Sequence, residues 1–234
     1  MAEHIVASFD EDLEHIDRLL RDMGDLAGAM TQSATRALLT SDTGLAQRVI
    51  SDDAIMDAKQ LELDERAITL IAKRQPMAQD LRAVVGGIRM AADLERIGDL
   101  AKNIAKRVGA VGQGAAPRKL SHSIDTMAGM VLSQVKAVVE RYAERDAAAL
   151  TALRDEDEKI DTRYTSVFRE LLTYMMEDPR NITACTHLLF CAKNLERVGD
   201  HVTNIAENAY YILTGEQLPV QRPKLDETQM TVDR

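Results

Sequence analysis

The chain of 234 residues contains no tryptophan, and aromatic residues make up only 3% of it. Sheet proteins fill their pleated faces with aromatic and β-branched side chains, so this scarcity points to helix. Proline is limited to five positions, which leaves long stretches with nothing to interrupt an α-helix. Positive charge is in deficit: 29 Lys and Arg stand against 38 Asp and Glu, a formal charge of −9. Nucleic acid is excluded as a main partner on that balance, because phosphate binding needs a basic face. The acidic excess suits a cytoplasmic protein and suits cation binding equally well. No apolar run reaches the roughly eighteen residues a membrane span needs, so membrane association is expected only peripherally. The opening Met1-Ala2-Glu3-His4 has neither a basic nor an apolar leader segment, and no signal peptide is expected. Cys185 and Cys191 lie on different sides of one predicted helix and cannot bridge each other there. Two thiols without metal spacing fit a reducing compartment.

What is present is helix-forming: Ala, Leu, Met, Glu, Asp and Arg dominate, and 45% of the residues are hydrophobic. Over residues 5–39, Phe9, Ile16, Met23, Met30 and Ala37 recur every seventh position, interleaved with Leu13, Leu20, Ala27 and Ala34. That seam, widened by Leu19 and Leu26, predicts a long helix in an antiparallel bundle. Ser41-Asp42-Thr43-Gly44 reads as a turn and helix N-cap, and a second helix runs to about residue 74. Gln75-Pro76 stops it, with Pro76 placed in the first turn of a third helix that ends near residue 108. The stretch 110–117 holds two glycines and a proline and reads as a linker. The plan then repeats, with helices predicted over 120–144, 146–176 and from after Asp178-Pro179 to 213. The expected fold is all-α, two tandem antiparallel three-helix bundles spanning 1–109 and 118–214, followed by a polar tail over 215–234.

One stretch is written twice. Asp93-Leu94-Glu95-Arg96-Ile97-Gly98-Asp99, with Asn103-Ile104-Ala105 beyond, returns 101 positions later as Asn194-Leu195-Glu196-Arg197-Val198-Gly199-Asp200, with Asn204-Ile205-Ala206. That many identities in one register mark an internal duplication. At about 100° per residue, Glu95 and Asp99 share a face, and Asn103 follows one turn on. Glu196, Asp200 and Asn204 repeat the arrangement. On the preceding helix of each half, Asp53 and Asp57 point with Val49, Ile50, Leu61, Ile68 and Ile71, and Asp157 and Asp161 point with Leu150, Leu153, Phe168, Leu172 and Met175. Aspartates on an apolar stripe bury charge that a basic side chain, a proton or a metal has to offset. Arg96 and Arg197 are the candidate basic partners. If neighbouring helices face these pairs together, each half gains an all-oxygen site suited to Mg²⁺, Mn²⁺ or Fe. Gly98 and Gly199 weaken their helices, by up to about 1 kcal/mol each against Ala, and are expected to permit close approach of a neighbouring helix or a metal-bound group.

At these residues the chain resembles the PhoU family. The resemblance covers nearly the whole length and rests on the duplicated motif, on Arg74-Gln75-Pro76-Met77-Ala78 with Asp80-Leu81-Arg82, on Asp178-Pro179-Arg180-Asn181-Ile182, and on His201 and Glu207 beside the second copy. It implies a cytoplasmic, often dimeric protein that represses the phosphate-starvation response when phosphate is plentiful. Its implied partners are the ATPase subunit of the phosphate ABC transporter and a membrane sensor histidine kinase. It also implies iron, manganese or magnesium held by Asp53, Asp57, Glu95 and Asp99, and by Asp157, Asp161, Glu196 and Asp200. The copies depart from one another where the first has Leu100 and the second His201.

The rival reading is a carboxylate-bridged di-metal enzyme in a helical bundle. Such sites use a Glu-x-x-His pair on two helices, and the duplicated motifs have none. No nucleophile paired with a base, phosphate loop or zinc signature is found either, and the chain is expected not to be an enzyme.

Overall fold

A computed structural model describes residues 2–111 and 118–218, and among these residues every regular element is helical. Helix α1 spans Ala2–Thr40 and α2 Thr43–Arg74. Asp42 caps α2, its Oδ1 accepting from the Leu45 amide at 2.8 Å. After Gln75 and Ala78, both with positive φ (50° and 48°), α3 covers Gln79–Ala105. Pro76 therefore lies in the connection and not in the first turn of α3 as expected, because two left-handed residues are needed to reverse the chain. A single turn, α4 (Val108–Val111), buries both its valines. The second half comprises α5 (Arg118–Ala143), α6 (Ala147–Asp155), α7 (Asp157–Glu177), a 3₁₀ turn at Pro179–Asn181 and α8 (Ile182–Thr214). Most of the expected linker and tail lies outside the described residues.

The helix expected over 146–176 is two helices. Asp155, Glu156, Asp157 and Glu158 are consecutive acids, and Glu156 turns its amide back to Leu153 O at 3.2 Å. Starting a new helix there puts Asp157 and Glu158 in a first turn, where the helix dipole favours negative charge.

From Ile16 onward the seam of α1 is buried as its spacing requires: Ile16, Leu20, Met23, Ala27, Met30, Ala34 and Ala37 are each at most 2% exposed. Leu13 is half-buried, and the side chain of Phe9 lies outside the described residues. In α2 the buried line is Ala46, Val49, Met56, Leu63, Ala67 and Leu70. Leu61 and Ile68, expected on the core stripe with Asp53 and Asp57, are 61% and 64% exposed, which corrects that assignment. The two apolar lines of α2 differ in direction by about a third of a turn, and the one carrying the smaller residues faces the bundle.

The halves share one hydrophobic core instead of keeping two. Helices α3 and α8 pack on one another antiparallel, and α1 packs on α5. The α3–α8 crossing is reciprocal. Arg107 of α3's end meets His187 of α8, and Gly86 of α3 lies beside Asn208, which are the same two register positions exchanged. Tyr142 of α5 ties to α1 by donating its hydroxyl to Asp17 Oδ1 at 2.6 Å.

Candidate metal centres and the cleft between the halves

In the first half the bundle brings α2 and α3 together so that Asp53, Asp57 and Asp99 all act on Glu95. Glu95 is only 16% exposed at its side chain. Burial pushes its carboxyl above the ordinary range, Asp99 adds to this, Arg96 opposes it, and Asp57 and Asp53 contribute the remainder. The acids of α2 and α3 thus lie on facing helices, as the spacing in the sequence predicts. The compensating cation is not the expected one. Lys102 donates to Asp53 across the helix pair and sits against Asp99 on its own helix. Burial works to lower the Lys102 pKa, but the hydrogen bonds to Asp53 and Asp99 overcome it and hold the ammonium above the usual lysine range. Arg96 stays 3.5 Å from Glu95 and Asp99 with its side chain 62% exposed, a loose contact on its own helix.

The second half repeats the plan with different detail. Asp157 is 5% exposed at the start of α7. Burial raises the Glu196 carboxyl, the Lys193 hydrogen bond opposes this, and Asp200 and then Asp161 raise it further. The Lys193 ammonium lies 2.6 Å from Glu196. It also approaches the Tyr164 ring, at 5.2 Å from the centroid. Arg197, the other expected partner, is exposed and makes no ion pair among the described residues. Each cluster thus carries a lysine from a non-equivalent place. Position 102 corresponds to Thr203, and position 193 to Ala92. Both lysines were visible as opposite charges three residues from an acid of the motif, Asp99 and Glu196, a spacing that places them on one helix face.

The motif glycines do what their cost implies. A methyl group on Gly199 would lie 3.1 Å from Asp157 Oδ1 and from Ile160 Cδ1, so its absence lets α7 close onto α8. On Gly98 it would meet Met56 Cγ at 3.3 Å.

The two asparagines stand apart from the acids. Asn204 donates to Asp93 Oδ1 at 3.2 Å, across the α3–α8 crossing. Asn103 is exposed, with no hydrogen-bond partner among the described residues. Among those residues no group of three or more His, Cys, Asp or Glu side chains is drawn tightly enough together to hold a metal ion. The donor chemistry nevertheless fits a hard cation, since each cluster offers only carboxylate oxygen and its central Glu is strained by its acidic neighbours. In the first cluster an incoming cation would take the place Lys102 now fills.

His201, the point of departure between the copies, also has a role that motif inspection missed. Its Nδ1 lies 2.8 Å from Asp93 Oδ1, and both side chains are mostly buried. Asp93 is itself a departure, since the second copy has Asn194 there. These two differences between the copies therefore face each other. They border a cleft of about 740 Å³ between α3, α6 and α8.

A family profile described as the PhoU domain matches residues 20–108 and again 124–209. The phosphate-specific transport system accessory protein PhoU homologue of Rhizobium meliloti is 56% identical over 225 residues, covering 96% of this chain and 95% of its own. The protein of the same name from Caulobacter vibrioides is 46% identical over 226 residues, 97% of this chain and 98% of its own. Among solved structures, PhoU from Pseudomonas aeruginosa superposes with a TM-score of 0.85 at 34% identity, covering 89% of this chain and 100% of that one. The phosphate transport system regulatory protein PhoU from Streptococcus pneumoniae gives 0.82 at 27% identity, over 91% of this chain and 100% of that one.

Proposed function

The chain belongs to the PhoU family, and from that premise we propose that it is an accessory and regulatory protein of phosphate-specific transport, holding the phosphate-starvation response repressed while phosphate is plentiful. In this reading it is a cytoplasmic homodimeric adaptor without a catalytic step of its own. It meets the ATPase subunit of the phosphate ABC transporter and a phosphate-sensing histidine kinase, and reaches the membrane only through them. In support, no described helix is long and apolar enough to cross a membrane.

The observation that carries the metal-dependent part is the pair of acid clusters at equivalent places in both halves, each with a Glu whose charged form is disfavoured by burial and acidic neighbours. A divalent or trivalent cation (Mg, Mn or Fe) would be held by Asp53, Asp57, Glu95 and Asp99 in the first half, and by Asp157, Asp161, Glu196 and Asp200 in the second. Bound there, the metal supplies positive charge to the face on which α2 and α3, or α7 and α8, meet a partner. Lys102 and Lys193 keep each cluster folded until a cation displaces them.

The regulatory role is tested by expressing the chain in a bacterium lacking its own PhoU-family protein, with a phosphate-repressible reporter. Restored repression in high phosphate is expected, and an unchanged constitutive signal would overturn the role. The metal part is tested on protein purified without chelator. Metal content should fall in Asp57→Ala and Asp161→Ala, and unchanged content would sink the assignment while leaving the regulatory role standing.

A further inference from the structure

The cleft between α3, α6 and α8 adjoins the first acid cluster, with which it shares Arg96, and its walls carry both signs of charge. Arg89 and Arg96 project from α3 and Arg154 from α6, with His201, Asn208 and Tyr211 on α8. Two acids border it as well, Asp93 and Glu207. Asp93 is already committed, accepting from His201 and Asn204. Because a carboxylate only accepts, His201 uses Nδ1–H for that bond and keeps Nε2 for another partner. Arg89 is exposed and makes no ion pair or hydrogen bond among the described residues. Three guanidinium groups drawn from two helices stand around the hollow beside those two acids; Arg96 also pairs with Glu95 and Asp99, and Arg89 is the cation the inference rests on.

The duplication explains why the hollow exists on this side. The reciprocal crossing gives it a twin, in which Arg107 takes the place of Asn208 and Phe190 that of Arg89. In the twin the Arg107 guanidinium lies over the Phe190 ring, 4.3 Å from its centroid, and Arg107 Nη1 reaches His187 Nδ1 at 3.2 Å. That stack engages the twin's arginine within the protein. On the cleft side the long Arg107 side chain is replaced by the short amide of Asn208, and the positive charge moves to Arg89. Space and unengaged cation appear together where the copies have diverged.

We infer that this cleft binds a phosphate-bearing anion of nucleotide size. Guanidinium groups match phosphoryl oxygens in charge and fork geometry. A volume of about 740 Å³ lies within the roughly 300–1,000 Å³ of small-molecule sites and far exceeds a bare oxyanion. Tyr211 offers an aromatic surface for the organic part of such a ligand. The chemistry recognised is the phosphoryl group of an ester.

The test is calorimetric titration of the full chain with ATP, ADP, AMP, inorganic phosphate and adenosine, in buffer containing EDTA so that no metal bridge at the acid clusters can contribute. Saturable binding of at least one phosphate-bearing probe is expected, with none for adenosine. Preference for the nucleotides supports the inference, and equal or better binding of inorganic phosphate would overturn it. Arg89→Glu, an exposed position whose change leaves the core untouched, should weaken binding at least about tenfold, the loss expected for a charged hydrogen bond. Arg89→Gln should weaken it less. No saturable binding by any phosphate-bearing probe would overturn the inference, as would unchanged affinity in an Arg89→Glu protein that melts like the parent. Failure here leaves the metal reading untouched, because the titration excludes metal.

Discussion

Lys102 reaches from α3 to donate to Asp53 on α2 while it pairs with Asp99 on its own helix. The contact gives the first acid cluster a cation of its own, and under the proposed function a bound metal would compete with it.

Lys102→Met should therefore act in opposite directions on two measurements. Without metal it leaves mostly buried carboxylates uncompensated, and chemical denaturation should show a loss of about 1–3 kcal/mol. The affinity for Mn²⁺ should rise, and saturating Mn²⁺ should restore the lost stability by mass action. Loss of stability without any gain in Mn²⁺ affinity would separate the lysine from the metal.

Glu95 titrates above its ordinary range when folded, so the folded state holds its proton to higher pH than the unfolded chain does. The sign follows: stability contributed by the protonated form is present below the unfolded pKa, and falls as pH rises through the raised folded value. Glu95→Gln in EDTA should raise the melting temperature at pH 7 and have little effect at pH 4. A uniform effect at both pH values would contradict the electrostatic origin.

The two motif glycines should respond unequally to alanine. At Gly199 the added methyl presses on Asp157 and Ile160, and prising α7 from α8 should cost about 1–3 kcal/mol. At Gly98 it meets the flexible Met56 chain, and the helix-propensity gain of up to about 1 kcal/mol offsets most of the strain. Comparison of the two melting temperatures checks this.

Tyr142→Phe removes the hydroxyl that α5 donates to Asp17 of α1. A loss of about 1–2 kcal/mol in denaturant unfolding is expected, since the acceptor can still reach water. The mutation weakens the join between the halves and leaves both acid clusters unchanged, so Mn²⁺ affinity should stay at the parent value.

Much of the fold was legible because helices announce their faces. The seven-residue seam of α1, the Asp42 cap and the close approach at Gly98 and Gly199 all follow from spacing or local chemistry, and the structure has them as read. What failed needed knowledge of a neighbour. The α2 sequence carries two apolar lines, and nothing within α2 says that Leu61 and Ile68 belong to the outer one. The aspartates were thus assigned to an inward stripe. Asp53 is nonetheless largely shielded, because α3 covers it with Lys102. The asparagines looked like ligands because they follow the acids by one turn, and Asn204 turned instead to Asp93 of the other half. That contact was hidden from any reading that treated the halves as separate bundles.

The reciprocal crossing of α3 and α8 bears on what would happen if the chain were cut between its halves. Each fragment would bare an apolar ridge built to meet a near-copy of itself, running the opposite way about a two-fold axis. A first-half fragment would satisfy that ridge most readily with a second first-half fragment, Arg107 of each seeking Gly86 of the other. The intact chain is, in this sense, a dimer whose subunits were joined end to end and then allowed to differ. Its tether guarantees that the one partner always at hand is the other half, the half that supplies His201 to Asp93.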